Sequence, residues 1–430
     1  MTKPLKPAPK IFNHLAMKKR IEHIIKYESR VKSFVADTFD EKRMLEDCAK
    51  IQSKPNNKLP LKNLLVGVKD IINVDGYPTR CGSLLPHELF KGSQASCVSK
   101  LLDAGAIFAG KTVTAEFAVS DPGETRNPRN LSHTPGGSSS GSAATVAAGF
   151  CDIAIGTQTS GSVIRPAGYC GVIGYKPSFG RISRDGVLLF SNSMDHIGIC
   201  AKDLNLLEKI LPLIVNGWRF QKPKKNRNIS IGVPVGSYIN LSKALVLQQF
   251  LNTVQLLKEK FHVSKLELVK DIERYNRKVD EITFAELYKV HAVWYHRYKE
   301  LYGPIVRKTI DAGKNINPND LTLLIKKSKK DRQFLQMLMI EKGIDIWVAP
   351  VAPDVAPFGI DCTGDFRMNS IWSYTGLPVI TIPTGVNEKN LPYSIQIVGR
   401  FGEDEKLLQI SQVIEKSLRV PSLLNSWELN

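Results

Sequence analysis

Two short loops built almost wholly from glycine, serine and threonine constrain this chain more than any other feature. The first is Pro135-Gly136-Gly137-Ser138-Ser139-Ser140-Gly141-Ser142-Ala143-Ala144. The second is Gly156-Thr157-Gln158-Thr159-Ser160-Gly161-Ser162-Val163-Ile164-Arg165-Pro166. The residues between them suffice for one short helix and one short strand. A glycine inside a regular element costs about 0.5–1 kcal/mol relative to alanine. So dense a set of small residues therefore points to backbone amides and hydroxyls brought close to a bound group.

The rest of the chain is that of an ordinary globular protein. Its 430 residues, 43% hydrophobic and 23% charged, suffice for one large core or for two domains. The longest mostly apolar run, Ala143 to Gly156, is interrupted by Asp152 and is too short to span a bilayer. The stretch Met1-Thr2-Lys3-Pro4-Leu5-Lys6-Pro7 lacks the apolar segment of a secretion signal, so a cytoplasmic protein is expected. Cys48, Cys81, Cys97, Cys151, Cys170, Cys200 and Cys362 are scattered, with no Cys-x-x-Cys pair. That spacing argues against a disulfide framework and against zinc. The eight histidines show no ligand spacing, and no metal is expected.

The net charge of +18, from 59 basic and 41 acidic residues, points to a nucleic-acid partner or to a lysine-rich solvated surface. Lys222, Lys224, Lys225 and Arg227 form one cluster, and Lys326, Lys327, Lys329, Lys330 and Arg332 another. No aromatic interleaving or RNA-binding motif accompanies them, which favours the solvated surface.

Helices and short apolar runs alternate along the chain. Residues 1–60 read as helical, with Ile21, Ile24, Ile25 and Val31 on one stripe. Leu65–Val68 reads as a buried strand ending at Lys69, Ser96–Ala104 as a helix, and Ala106–Gly110 as a strand. Gly141–Gly149 reads as a small-residue helix and Phe150–Ile155 as the strand after it. Strands are expected at 229–233, 346–349, 379–382 and 395–398, a helix through Leu247, Phe250, Leu251, Val254 and Leu257, and a last helix over 405–418. Residues 270–342 read as a helical insertion, and no linker divides the chain, so one domain over 1–430 is expected. The alternation implies an α/β layered fold with helices on both faces of a sheet.

Amide hydrolysis needs a nucleophile, a base and donors for an oxyanion. Ser162 is a nucleophile candidate, because Ser160 and Gly161 before it let successive N–H groups converge on one point. The base is less evident. His133 and His196 lie near the loops, but each reads more simply as a surface or hydrogen-bonded residue. Lys69 follows an apolar run and emerges from the core. It serves as a base near neutrality only if burial lowers its pKa from about 10.4 toward 7. By itself it reads more simply as a strand-end surface lysine.

These segments together resemble the amidase signature family. Gly67-Val68-Lys69-Asp70 and the two loops agree with it in order and spacing. So do Cys170-Gly171-Val172-Ile173-Gly174-Tyr175-Lys176-Pro177 and Ser193-Met194-Asp195-His196-Ile197-Gly198. The likeness is strong over residues 60–200. It continues weakly through Ala349-Pro350, Thr375-Gly376-Leu377-Pro378 and Gln396-Ile397-Val398-Gly399. The resemblance implies an α/β/α sandwich on a large mixed sheet and a Ser-Ser-Lys triad. Ser162 is then the acylated nucleophile. Ser138, after a cis Gly137–Ser138 peptide, relays the proton to neutral Lys69. The N–H groups of Thr159, Ser160, Gly161 and Ser162 form the oxyanion hole. An acyl-enzyme forms, ammonia or an amine leaves, water releases the acid, and no cofactor takes part. Many members carry Asp at Gln158 and Gly at Ser160, and loop support is the expected role of both side chains here.

Three other readings stand beside this one. The A subunit of a glutamine-dependent tRNA amidotransferase suits the basic charge. By the family alignment, however, Thr309 stands where those proteins carry Arg, and Phe366, next to Asp365, stands where they carry Asp. A nucleophile elbow centred on Ser139 requires a preceding buried strand, and residues 127–135 read as loop. An inactive scaffold is disfavoured because Lys69, Ser138 and Ser162 are all retained. The expected substrate is a small-molecule amide, not one drawn from a membrane. Gly137, Met194, Asn369 and Trp372 are candidate pocket residues, Trp372 reading equally as a core aromatic. The sequence specifies no oligomeric state, and a homodimer is compatible with it.

Overall fold

The computed structural model of the chain describes residues 14–54, 59–219 and 228–418. The stretch Met1 to Pro7 and the cluster Lys222, Lys224, Lys225 and Arg227 lie outside these residues. The first ten elements are α1 (His14–Val31), α2 (Glu41–Gln52), β1 (Leu65–Lys69), α3 (Ser96–Asp103), β2 (Ile107–Thr112), α4 (Ser140–Ala147), β3 (Ile153–Gln158), α5 (Ile164–Cys170), β4 (Ile173–Lys176) and β5 (His196–Ala201). Then come α6 (Leu204–Ile214), β6 (Ser230–Val235), α7 (Ala244–Lys258), β7 (His262–Glu267), α8 (Ile272–Tyr298), α9 (Pro304–Gly313) and α10 (Pro318–Glu341). The chain continues with β8 (Ile346–Pro350), α11 (Arg367–Tyr374), β9 (Val379–Val386), β10 (Pro392–Val398) and α12 (Asp404–Leu418).

The ten strands form one mixed sheet in the order β2-β1-β3-β5-β4-β9-β10-β8-β6-β7. β1 runs parallel to both β2 and β3, and β6 parallel to β7 and β8. The middle of the sheet, from β3 through β5, β4, β9 and β10 to β8, is antiparallel. Side chains alternate across the pleat. Val66, Val68, Ile153 and Ile155 enter one core with Val98 of α3, Leu207 of α6 and Phe250 of α7. Leu65, Ala154 and Ala109 enter another with Met17, Ile24, Ala143 and Ala147. Farther along, Trp347 and Ala349 meet Leu335, Met339 and Ile371. Both faces are thus covered by helices, which is the α/β/α sandwich anticipated above.

Four details differ from the sequence reading. Met17, Ile21, Ile24 and Val31 are buried, but Ile25 is 57% exposed. One residue beyond Ile24 is about 100° around the helix, off the buried stripe. The strand expected from Phe150 begins at Ile153 instead, with Phe150 buried against α1. β4 and β5 are strands beyond those expected, being only four and six residues long and containing Lys, His, Gly and Cys. β7 is an edge strand with His262, Lys265 and Glu267 exposed, so no apolar run marks it. Among the described residues no helix is long and apolar enough to cross a membrane.

Candidate active site

Lys69 is the last residue of β1 and shares the parity of Leu65, whose core includes α4. Its side chain is fully buried. The Nζ donates to Ser138 Oγ at 2.8 Å and to Thr157 Oγ1 at 2.8 Å, with Thr157 O at 3.5 Å. Burial in an apolar layer disfavours the ammonium form and lowers the pKa to about 7, against a smaller upward pull from Asp195.

Ser138 lies just before α4. The Gly137–Ser138 peptide is cis. Its two flanking carbonyls are both held: Gly137 O accepts from Arg165 Nη2 at 2.6 Å, and Ser138 O accepts from Ala115 N at 3.0 Å. The next residue ties the two loops together. Ser139 Oγ donates to Thr157 O at 3.1 Å, and Ser139 N donates to Ser162 O at 3.2 Å. This approach explains Gly156, where a Cβ would lie 2.7 Å from Ser139 Oγ.

The loop after β3 is shaped by Gln158. Its Oε1 accepts from Val163 N at 2.8 Å and Ile164 N at 2.9 Å. Its Nε2 donates to Ser160 O at 3.2 Å and Ser373 Oγ at 3.0 Å, and Ser373 Oγ itself donates to Ser160 O at 2.6 Å. Among the described residues, no protein acceptor meets the N–H groups of Thr159, Ser160, Gly161 or Ser162. Four successive free donors beside a serine hydroxyl form a geometry that can receive an oxyanion. Ser162 is 7% exposed, and its hydroxyl has no hydrogen-bond partner among the described residues.

Two charged residues frame this arrangement, and neither has a role in the sequence analysis. Asp195 is buried, accepts from Thr159 Oγ1 at 2.6 Å, and accepts from the N–H groups of Phe190 at 2.6 Å and Ser191 at 3.0 Å. Burial raises its pKa against the opposing pull of these donors. Arg165 is buried and donates to Gly137 O, to Thr363 Oγ1 at 3.1 Å and to Gly364 O at 2.9 Å. Burial lowers its pKa as well. Each charge has apolar residues close by in the sequence, Arg165 after Val163-Ile164 and Asp195 between Met194 and His196-Ile197. A charge carried into the interior by such neighbours must be partnered once folded, and that is the signal that could have found both.

The structure brings Lys69, Ser138 and the loop of Ser162 together. It does not make pocket walls of Met194 and Trp372, a correction to the sequence reading. Trp372 is fully buried, donates from Nε1 to Tyr238 Oη at 3.1 Å and belongs to the core under β8 and β9. Met194 is buried among Val279, Ile282 and Leu321. Asn369 donates to Val351 O at 3.0 Å and Gln396 Oε1 at 3.1 Å, while its Oδ1 packs so close to Gly161 that a Cβ there would lie 2.5 Å away. Gly137 lies under Thr363, where a Cβ would come within 2.6 Å. His133 bonds Ala356 O, and His196 is buried with Nδ1 on Gln158 O. No group of three or more His, Cys, Asp or Glu able to hold a metal occurs among the described residues.

The site thus joins a buried lysine to one serine hydroxyl, beside a second serine whose neighbouring amides have no acceptor among the described residues. The chain belongs to the amidase family, whose profile matches residues 16–408, and it is a hydrolase acting on amide C–N bonds. It is 27% identical to the A subunit of a glutamyl-tRNA(Gln) amidotransferase from Lachnospira eligens, over 94% of each chain. A crystal structure of an amidase superposes with a TM-score of 0.83 at 26% identity, covering 94% of this chain and 96% of the other. A peptide amidase bound to the competitive inhibitor chymostatin shares the fold, with a TM-score of 0.81 at 23% identity, covering 95% and 94%.

Proposed function

We propose that this protein cleaves a small amide through an acyl-enzyme on Ser162, with Ser138 and Lys69 moving the proton. The observation that carries this reading is the 2.8 Å bond from buried Lys69, its pKa lowered to about 7, to the Ser138 hydroxyl. Near neutrality a large share of Lys69 is a free amine. It draws the Ser138 proton as Ser138 takes that of Ser162, and Ser162 Oγ attacks the carbonyl carbon. The four N–H groups from Thr159 to Ser162 receive the oxyanion, and losing one such donor typically costs about 3–4 kcal/mol of transition-state stabilisation. The same relay returns a proton to the departing nitrogen, the C–N bond breaks, and ammonia or an amine leaves. Water then enters, gives up its proton along the same path, and frees the acid. Free cysteines throughout the described residues support a reducing, cytoplasmic setting.

The similarity to the A subunits of tRNA amidotransferases favours a second reading, supply of ammonia from glutamine to a partner. Stand-alone hydrolysis is the better supported of the two. Thr309, where the family resemblance leads one to expect Arg in such a subunit, spends its hydroxyl on Ile305 O of its own helix at 2.8 Å. Asp365 is already engaged by Arg367, accepting from Nη2 at 2.6 Å, from Nε at 2.9 and 3.1 Å and from the backbone N–H at 2.9 Å.

Ammonia release from a panel of primary amides, glutamine among them, with Ser162→Ala as control, decides the matter. Ser162-dependent turnover of aryl or alkyl amides is the expected result. Turnover of glutamine alone, or only with tRNA and partner proteins, moves the assignment to the amidotransferase. Labelling of wild type but not Ser162→Ala by a fluorophosphonate reports nucleophile activation whatever the substrate.

A further inference from the structure

A cavity of about 430 Å³ opens at Ser373, the residue whose hydroxyl holds Ser160 O in the loop after β3. Arg184, Lys329 and Arg332 line it, with Phe179, Tyr374 and Ser373, and no Asp or Glu is among its lining residues. The size suits a small ligand. The two arginines are immobilised, but by neutral groups only. Arg184 donates from Nη1 to Asn192 O at 2.6 Å and Asp195 O at 3.4 Å, and lies over the Phe179 ring at 5.1 Å. Arg332 donates from Nε to Thr375 O at 2.6 Å and stacks on Phe401 at 3.9 Å.

Some buried or partly buried arginines of this chain are neutralised by carboxylates, while others, such as Arg165, meet neutral groups alone. Arg20 meets Asp152, and Arg181 meets Asp404 and Glu405. Arg184, Lys329 and Arg332 have no ion pair among the described residues. The nearest acid on α10, Asp331, is engaged by Lys278 at 2.7 Å and by the Tyr374 hydroxyl at 2.9 Å. Burial already disfavours the charge on Arg332. Two held guanidinium groups and the exposed Lys329 ammonium around a cavity with no acidic lining residue form a positive well suited to carboxylate or phosphate oxygens.

We propose that this pocket binds a small oxyanion, a carboxylate or a phosphate. Its connection to turnover rests on the function proposed above; the binding itself does not. The wall residue Ser373 bonds both Ser160 O and Gln158, so an occupant sits one hydroxyl away from the loop of free amides. Two sources fit this chemistry: the far end of the amide substrate, or a separate anionic effector.

The test titrates inorganic phosphate, and separately succinate, into the full chain at constant ionic strength, with chloride as reference, by calorimetry. The Ser162→Ala protein is titrated in parallel, so the result does not depend on activity. Saturable binding is expected. It should weaken by at least about tenfold in Lys329→Glu and stay within about twofold in Lys327→Glu, the same charge reversal on the same helix outside the cavity. Binding absent from wild type, or weakened equally by both reversals, overturns the proposal. Kinetics then separates the sources. An anionic substrate predicts faster turnover of glutaramate than of pentanamide, lost in Lys329→Glu and competed by phosphate. An effector predicts that phosphate alters pentanamide turnover in wild type and not in Lys329→Glu.

Discussion

Two lysines of this chain, each the last residue of a strand inside the sheet, invite comparison. Lys69 ends β1 and Lys176 ends β4; both are fully buried, and burial lowers the pKa of each to about 7. Their partners differ. Lys69 donates to the hydroxyls of Ser138 and Thr157. Lys176 donates to the carbonyls of Pro177 at 3.1 Å and Leu377 at 2.6 Å. A hydroxyl can give up a proton to a neutral amine and pass on another, whereas a carbonyl oxygen has none to give. A lowered pKa therefore marks burial, and the chemistry of the neighbours decides whether it becomes a base.

The sharpest way to break this comparison is to delete each amine. Lys69→Met should lower kcat/KM by about 10²–10⁴, the usual range for a proton-transfer group. Lys176→Met should leave kcat/KM per folded molecule within about threefold, since it feeds no reacting atom. Comparable losses from both, measured against the folded fraction, would end the distinction.

A smaller effect is expected at Asp195. Asp195→Asn weakens the hold on Thr159 and removes the charge that favours the Lys69 ammonium. A hydrogen bond to a charged group contributes about 1.5–3 kcal/mol, so kcat/KM should fall by roughly 10–100-fold. The pH–rate profile separates a base effect from mere loosening. Wild-type kcat/KM should rise with pH through about 7 as Lys69 loses its proton, and Asp195→Asn should move that limb to lower pH.

Stability carries a gentler signature of the same pair. Both lysines have folded pKa values near 7 and unfolded values near the ordinary 10.5. Between these pH values the unfolded chain binds more protons, so their contribution to stability rises with pH and is lowest below 7. Denaturant titrations between about pH 7 and 9.5 should show this rise, and either Lys→Met change should flatten part of it. Smallest of all, Thr157→Val leaves Lys69 with Ser138 as its one hydroxyl partner. It should cost about 1 kcal/mol, or roughly fivefold in kcat/KM.

How much of this is legible in the sequence varies with the kind of signal. The layered fold follows from apolar runs alternating with helices, because a pleat repeats every two residues and each strand face needs a cover. β7 escapes because an edge strand with one half-buried face has no such run. Lys69, Ser138 and Ser162 stand out through motif order, not through spacing, since strands bring distant residues together with no trace in local pattern. Arg165 and Asp195 lie within the same motifs, yet motif membership alone does not say that they brace the loops. Trp372 stays open between pocket and core in the sequence, because a buried indole and a pocket indole look alike until Tyr238 is seen against it.

The brace on the loop after β3 has a consequence for when the protein can begin to act. All three side chains of the proposed relay lie within residues 69–162, yet Ser373 and Asn369, which hold Ser160 and pack on Gly161, follow some two hundred residues later. Thr363 and Gly364, which receive Arg165, are as late. A nascent chain that has emerged only as far as β5 carries all three without the supports that aim them. If these groups act as proposed, the centre is complete only once α11 has been made and has docked.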